Sequence, residues 1–135
     1  MKYDPTAPPF VNTLGSLDER MGFWIHMTAP DTLEVSGSVP TTPGVDLSVN
    51  AGGWNLVAYP SAANRSLPTA LSEHGVGIDF SLVYAYHASD TGDPWKLFDR
   101  TARVFVNDLK ELAPGWGYWI MVSADHTWSV AYQSD

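Results

Sequence analysis

The chain has 135 residues, enough for one hydrophobic core, and its 44% hydrophobic content places it among folded globular chains rather than disordered ones. A net charge of −8 excludes recognition of nucleic-acid phosphates by clustered Lys and Arg, and it disfavours docking on anionic membranes. The absence of cysteine and of any long apolar run excludes disulfide frameworks, thiolate metal sites and a membrane-spanning helix.

Charged residues are sparse, Lys occurs only at positions 2, 96 and 110, and Gly, Pro, Ser and Thr are plentiful. That composition suits short strands joined by turns. The start, Met1 to Pro5, carries no apolar signal segment, so a secreted protein would have its signal outside this stretch. Asn12 to Leu17 reads as one helical turn. Residues 22–28 alternate as a strand, with Phe23, Ile25 and Met27 on one side and Trp24, His26 and Thr28 on the other. Ala29-Pro30-Asp31 is a turn, and 32–39 a second strand, so the two form an expected hairpin. Residues 40–44 are a turn or short linker. Val45 to Val49 and Trp54 to Tyr59 are further strands, the latter stopped by Pro60. Residues 66–74 read as a short helix capped by Ser66 and closed by Gly75. Asp79 to His87 is the strongest strand by composition, Asn107 to Leu112 a second helical turn, and 117–123 with 127–132 a second hairpin around Ala124-Asp125-His126.

The two hairpins are related. Residues 3–35 align without a gap on residues 98–130, with fourteen identical pairs in 33 positions, where ordinary composition gives roughly two. They include Asp4/Asp99, Thr6/Thr101, Asn12/Asn107, Leu17/Leu112, Gly22/Gly117, Trp24/Trp119, Ile25/Ile120 and Val35/Val130. An offset of 95 residues is the scale of a whole domain, not of a solenoid turn. Two arrangements follow. Either the copies are related halves of one pseudo-symmetric domain, or the first is the remnant of a preceding module. The first is favoured, because a remnant would expose Phe23, Trp24 and Ile25 to water. The expected architecture is therefore a single all-β domain over 1–135, an antiparallel sandwich or partly open barrel with an internal pseudo-repeat and one or two short helical turns.

Gly53 to Pro60 (GWNLVAYP), Tyr86 to Lys96 (with DPWK at its end) and Leu112 to Ile120 (ending in GYWI) together resemble an uncharacterised repeat module of large bacterial secreted and surface proteins. The resemblance spans about residues 10–130. It implies an extracellular or cell-surface, non-enzymatic role beside neighbouring modules, and it carries no binding residues with it. His87 stands where the pattern leads one to expect an acid, which counts against a metal there.

Among six tryptophans, the repeat assigns Trp24 and Trp119 to shared packing, and Trp128, matched with Leu33, to the core. Trp54 lies within a strand and is assigned there too. Trp116, in a turn between two glycines, and Trp95, without a repeat partner, are the aromatics free to serve a ligand. The expected function is non-catalytic polysaccharide binding, with Trp95 and Trp116 stacking on sugar rings, Tyr84 and Tyr86 extending the platform, and Asp90, Asp93, Lys96 and Asn107 bonding hydroxyls. A structural or adhesive repeat without a small ligand is the alternative. No cofactor or metal is expected. Asp90, Asp93 and Asp99 are oxygen ligands of the kind calcium takes, but their spacing fits no EF-hand, turn capping accounts for such acids by itself, and Asp4 opposite Asp99 points to a structural role. The four histidines lack metal-ligand spacing, and no nucleophile elbow, phosphate loop or opposed carboxylate pair suggests an enzyme.

Overall fold

A computed structural model describes residues 1–38, 41, 44–72, 79–130 and 132. Eight strands appear among them: β1 (Gly44–Leu47), β2 (Trp54–Ala58), β3 (Arg65–Ser66), β4 (Phe80–Tyr86), β5 (Trp95–Asp99), β6 (Glu111–Leu112), β7 (Gly117–Val122) and β8 (His126–Ser129). Every pairing is antiparallel. A four-stranded sheet runs β2-β7-β4-β5, and β1-β8 and β3-β6 form two-stranded sheets. The fold is thus all-β with a few 3-10 turns, and no described sheet closes into a barrel.

The β7 strand shows how side chains sort. Tyr118, Ile120 and Val122 are buried on one face, while Gly117, Trp119 and Met121 lie on the other and are only half-buried. Val57 and Tyr59 from the β2 side and Phe80, Val83 and Ala85 from β4 join the buried face. The β1-β8 pair adds Val45, Leu47 and Trp128 to the same core. Trp128 stacks on Tyr59 at 5.8 Å and donates from Nε1 to the Ala70 carbonyl at 3.0 Å, so its one polar atom is satisfied in the interior. Gly53 makes the tight entry to β2 possible. Its φ is +82°, and a Cβ there would stand 2.2 Å from the Val122 carbonyl oxygen.

Among the described residues, all buried hydrophobic side chains lie between Val45 and Val130, none in the first 38. The expected N-terminal hairpin is not formed: residues 23–38 contain no strand (Val39, at the end of the expected second strand, lies outside the described residues). Phe23, Ile25, Leu33 and Val35 are 41%, 58%, 74% and 82% exposed, whereas their repeat counterparts Tyr118, Ile120, Trp128 and Val130 are 1%, 0%, 2% and 4% exposed. The physical reason is occupancy. A strand of this type belongs between β2 and β4, and residues 117–122 already fill that position.

The N-terminal copy reaches the sheet through its middle, around residues 20–24. Met21 bridges Val57, and the Ala58 amide donates to the Arg20 carbonyl at 2.9 Å, on the free edge of β2. Gly22 then passes Leu56 and Gly117 so closely that its own Cβ would meet the Val57 carbonyl oxygen at 2.8 Å.

Other elements differ in detail from the sequence reading. In place of a helix over 66–74, Ser66 pairs with Glu111 in β3-β6 and only Thr69–Leu71 make a 3-10 turn, while Glu73, His74 and Gly75 lie outside the described residues. The two helical turns expected after Asn12 and Asn107 occur just before them instead, as Pro9–Val11 and Val104–Val106.

Candidate functional site

The non-core face of the four-stranded sheet is also apolar. Trp119 lies between Leu56 and Tyr84 in register, and Met121 lies between Trp54 and Leu82. At one end of this face Tyr86 and Trp95 are cross-strand partners, their ring centroids 5.1 Å apart. Tyr84 meets Trp95 edge-on at 6.3 Å and Trp54 at 5.9 Å. Trp24, carried there by the N-terminal segment, sits 5.0 Å from Tyr86 and 5.8 Å from Trp95. Trp24 and Trp95 are 55% and 45% exposed. Tilted and edge-on contacts of this kind add modest stabilisation to area burial.

The structure therefore unites three of the expected platform residues, Tyr84, Tyr86 and Trp95, and adds Trp24 and Trp54, which the repeat and the strand pattern assign to packing. Trp116 is separate. Its ring contact is with His87, at 4.2 Å, and no ring contact among the described residues joins it to the Trp24–Tyr86–Trp95 group.

The polar candidates group on other surfaces. Lys96 is paired with Ala85, whose side chain is buried, and alternation puts Lys96 on the opposite side of β5 from Trp95. Its ammonium donates to Asp90 at 2.8 Å and Asp93 at 3.2 Å, with Asp108 at 4.0 Å. The Lys96 hydrogen bond holds the Asp90 carboxyl below the usual carboxylate range, and Asp90 in turn raises Lys96. The Asp93 amide also donates to Asp90, and the His87 amide to the Pro94 carbonyl, so the 87–94 loop is closed on itself. Surface ion pairs contribute little to stability, but they do commit these charges to one another. Among the described residues no group of three or more His, Cys, Asp or Glu side chains is placed to hold a metal ion.

Asn107 belongs to a different construction. Its Oδ1 accepts from the Asp99 amide at 2.8 Å, its Nδ2 donates to the Asp99 carbonyl at 3.0 Å, and Asp99 Oδ1 accepts from the Thr101 amide and hydroxyl at 2.8 and 2.7 Å. The N-terminal copy repeats the network bond for bond. Asn12 Oδ1 accepts from the Asp4 amide at 2.8 Å, Asn12 Nδ2 donates to the Asp4 carbonyl at 3.2 Å, and Asp4 Oδ1 accepts from Thr6 at 3.0 and 2.7 Å. Hydrogen bonds from Thr6 and Thr101 hold both carboxyls below their ordinary value. The duplicated Asp, Thr and Asn thus build a loop, and Asn107, placed among the candidate sugar-bonding residues, has both amide atoms engaged in it.

These features define an all-β chain with a half-exposed aromatic face and a duplicated polar loop; no helix among the described residues is long and apolar enough to cross a membrane. Compared with known proteins, it matches no family model, no curated protein and no solved structure.

Proposed function

We propose that this chain is a structural module of a serially repeated protein, in the extracellular, non-enzymatic setting implied by its resemblance to bacterial surface repeats. The observation that carries the reading is the duplicated loop. The polar identities in the repeat that are engaged in it, Asp4/Asp99, Thr6/Thr101 and Asn12/Asn107, all serve backbone closure. Duplication has preserved scaffold, as expected of a module whose job is to fold and space its neighbours. In this reading β1-β8 is the second layer of a small sandwich over the four-stranded sheet.

One observation favours a second reading. Tyr84, Tyr86 and Trp95 share a face, and Trp95 is 45% exposed, a surface on which a polysaccharide ring could stack. Titration with soluble β-glucans, xylans and mannans, followed by Trp fluorescence, separates the two. The structural reading predicts no saturable change. A saturable change that disappears in a Tyr86→Ala, Trp95→Ala double variant would replace it with glycan binding.

A further inference from the structure

The chain contains two closing halves, residues 3–35 and 98–130, but the described residues contain one opening half, which holds β1, β2, β4 and the first three residues of β5 within 44–97. In the described structure that opening half is taken by 98–130, which supplies β7 between β2 and β4 and β8 beside β1. The other closing half is fully equipped for the same work. It has Phe23, Ile25 and Met27 at the positions of buried Tyr118, Ile120 and Val122, and Leu33 and Val35 at those of buried Trp128 and Val130. Its Asp4–Thr6–Asn12 loop, which precedes the strand, is already formed with the bonding of Asp99–Thr101–Asn107. Yet it presents those five apolar side chains to solvent. An alternating apolar strand with a half-formed domain's worth of exposed residues matches one kind of surface: the open position between a β2-type and a β4-type strand.

We propose that residues 3–35 are built to act as the closing half of a second module, completed by an opening half of the same kind standing where Met1 and Lys2 stand in this chain, as residues 36–97 stand ahead of Phe98. The inserted strand would be 22–27, antiparallel to both neighbours, with Phe23, Ile25 and Met27 facing that module's core. Trp24 would move from Tyr86 and Trp95 to the half-buried setting that Trp119 has. The two modules would then follow each other with the 95-residue offset of the repeat. This inference rests on the reading of the chain as a serial module.

The test replaces Met1 and Lys2, which occupy the positions of Lys96 and Leu97 in the repeat, by a second copy of residues 36–97. The sequence has no cysteine, so Ile25→Cys gives a single reporter at the counterpart of fully buried Ile120. Thiol labelling of this reporter should be fast in the 135-residue chain and slow by about a hundredfold or more in the extended chain, because access then requires opening a folded unit. Equal labelling rates in the two chains would overturn the proposal. Chymotryptic cleavage at Phe23 and Trp24 in the unsubstituted pair probes the same protection without the cysteine: suppression in the extended chain supports completion, and unchanged cleavage refutes it. A saturable glycan response with Ile25 protected would sink the structural reading while leaving this inference standing. Unprotected Ile25 with no glycan response would do the reverse.

Discussion

Residues 3–35 and 98–130 share fourteen of 33 residues and reach different states. Both form the Asp–Thr–Asn loop, because that loop needs only local partners. Only the second copy forms strands, because a strand needs neighbours, and β2, β4 and β1 exist once among the described residues. Full burial is worth about 1.5–3 kcal/mol for each large apolar side chain. Phe23, Ile25, Met27, Leu33 and Val35, 41–82% exposed, each forgo a sizeable part of that gross contribution. Sequence similarity sets what a segment is able to do. Tertiary opportunity decides whether it does it.

Matched substitutions break the comparison most sharply. Ile120→Ala opens a cavity at a fully buried position and should cost about 2–5 kcal/mol in urea unfolding. Ile25→Ala, at its exposed counterpart, should change stability by less than about 0.5 kcal/mol. Equal costs would mean that the N-terminal copy is packed after all.

The next effect is alkaline. Burial pushes the Tyr118 phenol up to about 12, although the Ala113 amide that donates to its oxygen opposes this. A neutral tyrosine favoured by the fold stabilises it fully below pH 10, and this contribution is lost as pH rises toward the folded value. Unfolding free energy should therefore fall by about 2 kcal/mol between pH 10 and 12 on account of this group. Tyr118→Phe should abolish that part of the slope, and it places at this position the residue that the first copy has in Phe23.

The loop gives smaller and more even effects. Asn107→Ala removes two hydrogen bonds beside the core and should cost about 1–2 kcal/mol, while Asn12→Ala should leave the main unfolding transition in place. The smallest difference lies at acid pH. Asp99 and Asp4 both have lowered values, so what each contributes is present above the ordinary carboxylate pKa and lost as pH falls through the folded one. Only Asp99→Asn should alter the acid limb of the main transition, because only that loop adjoins the core.

Much of the fold is legible in the residues alone. Alternation marks β4 and the β7-β8 pair, and the match of Trp128 with Leu33 places that tryptophan in the core, where it is 2% exposed. The repeat likewise points Asp99 to a structural role. Two-residue strands such as β3 and β6 carry no periodicity to read, and Ser66, read as a helix cap, pairs with Glu111 instead. Matching with Trp119 assigns Trp24 to packing. The pattern is sound, but no pattern states whether a partner strand is present. Asn107 looks like a free amide in the sequence, although the matching Asn12/Asp4 pair holds the signal of its bonds to Asp99. The opposed sides of Trp95 and Lys96 follow from strand parity once β5 is known to begin at Trp95, a boundary that composition alone leaves open.

Amide hydrogen exchange of the unmodified chain tests the central contrast most directly. Residues 117–122, central in the four-stranded sheet, should exchange only through global unfolding, while residues 23–28 should exchange at rates close to those of an unstructured peptide. Comparable protection of the two segments would contradict the account that one copy of the repeat is closed and the other is waiting for its partner.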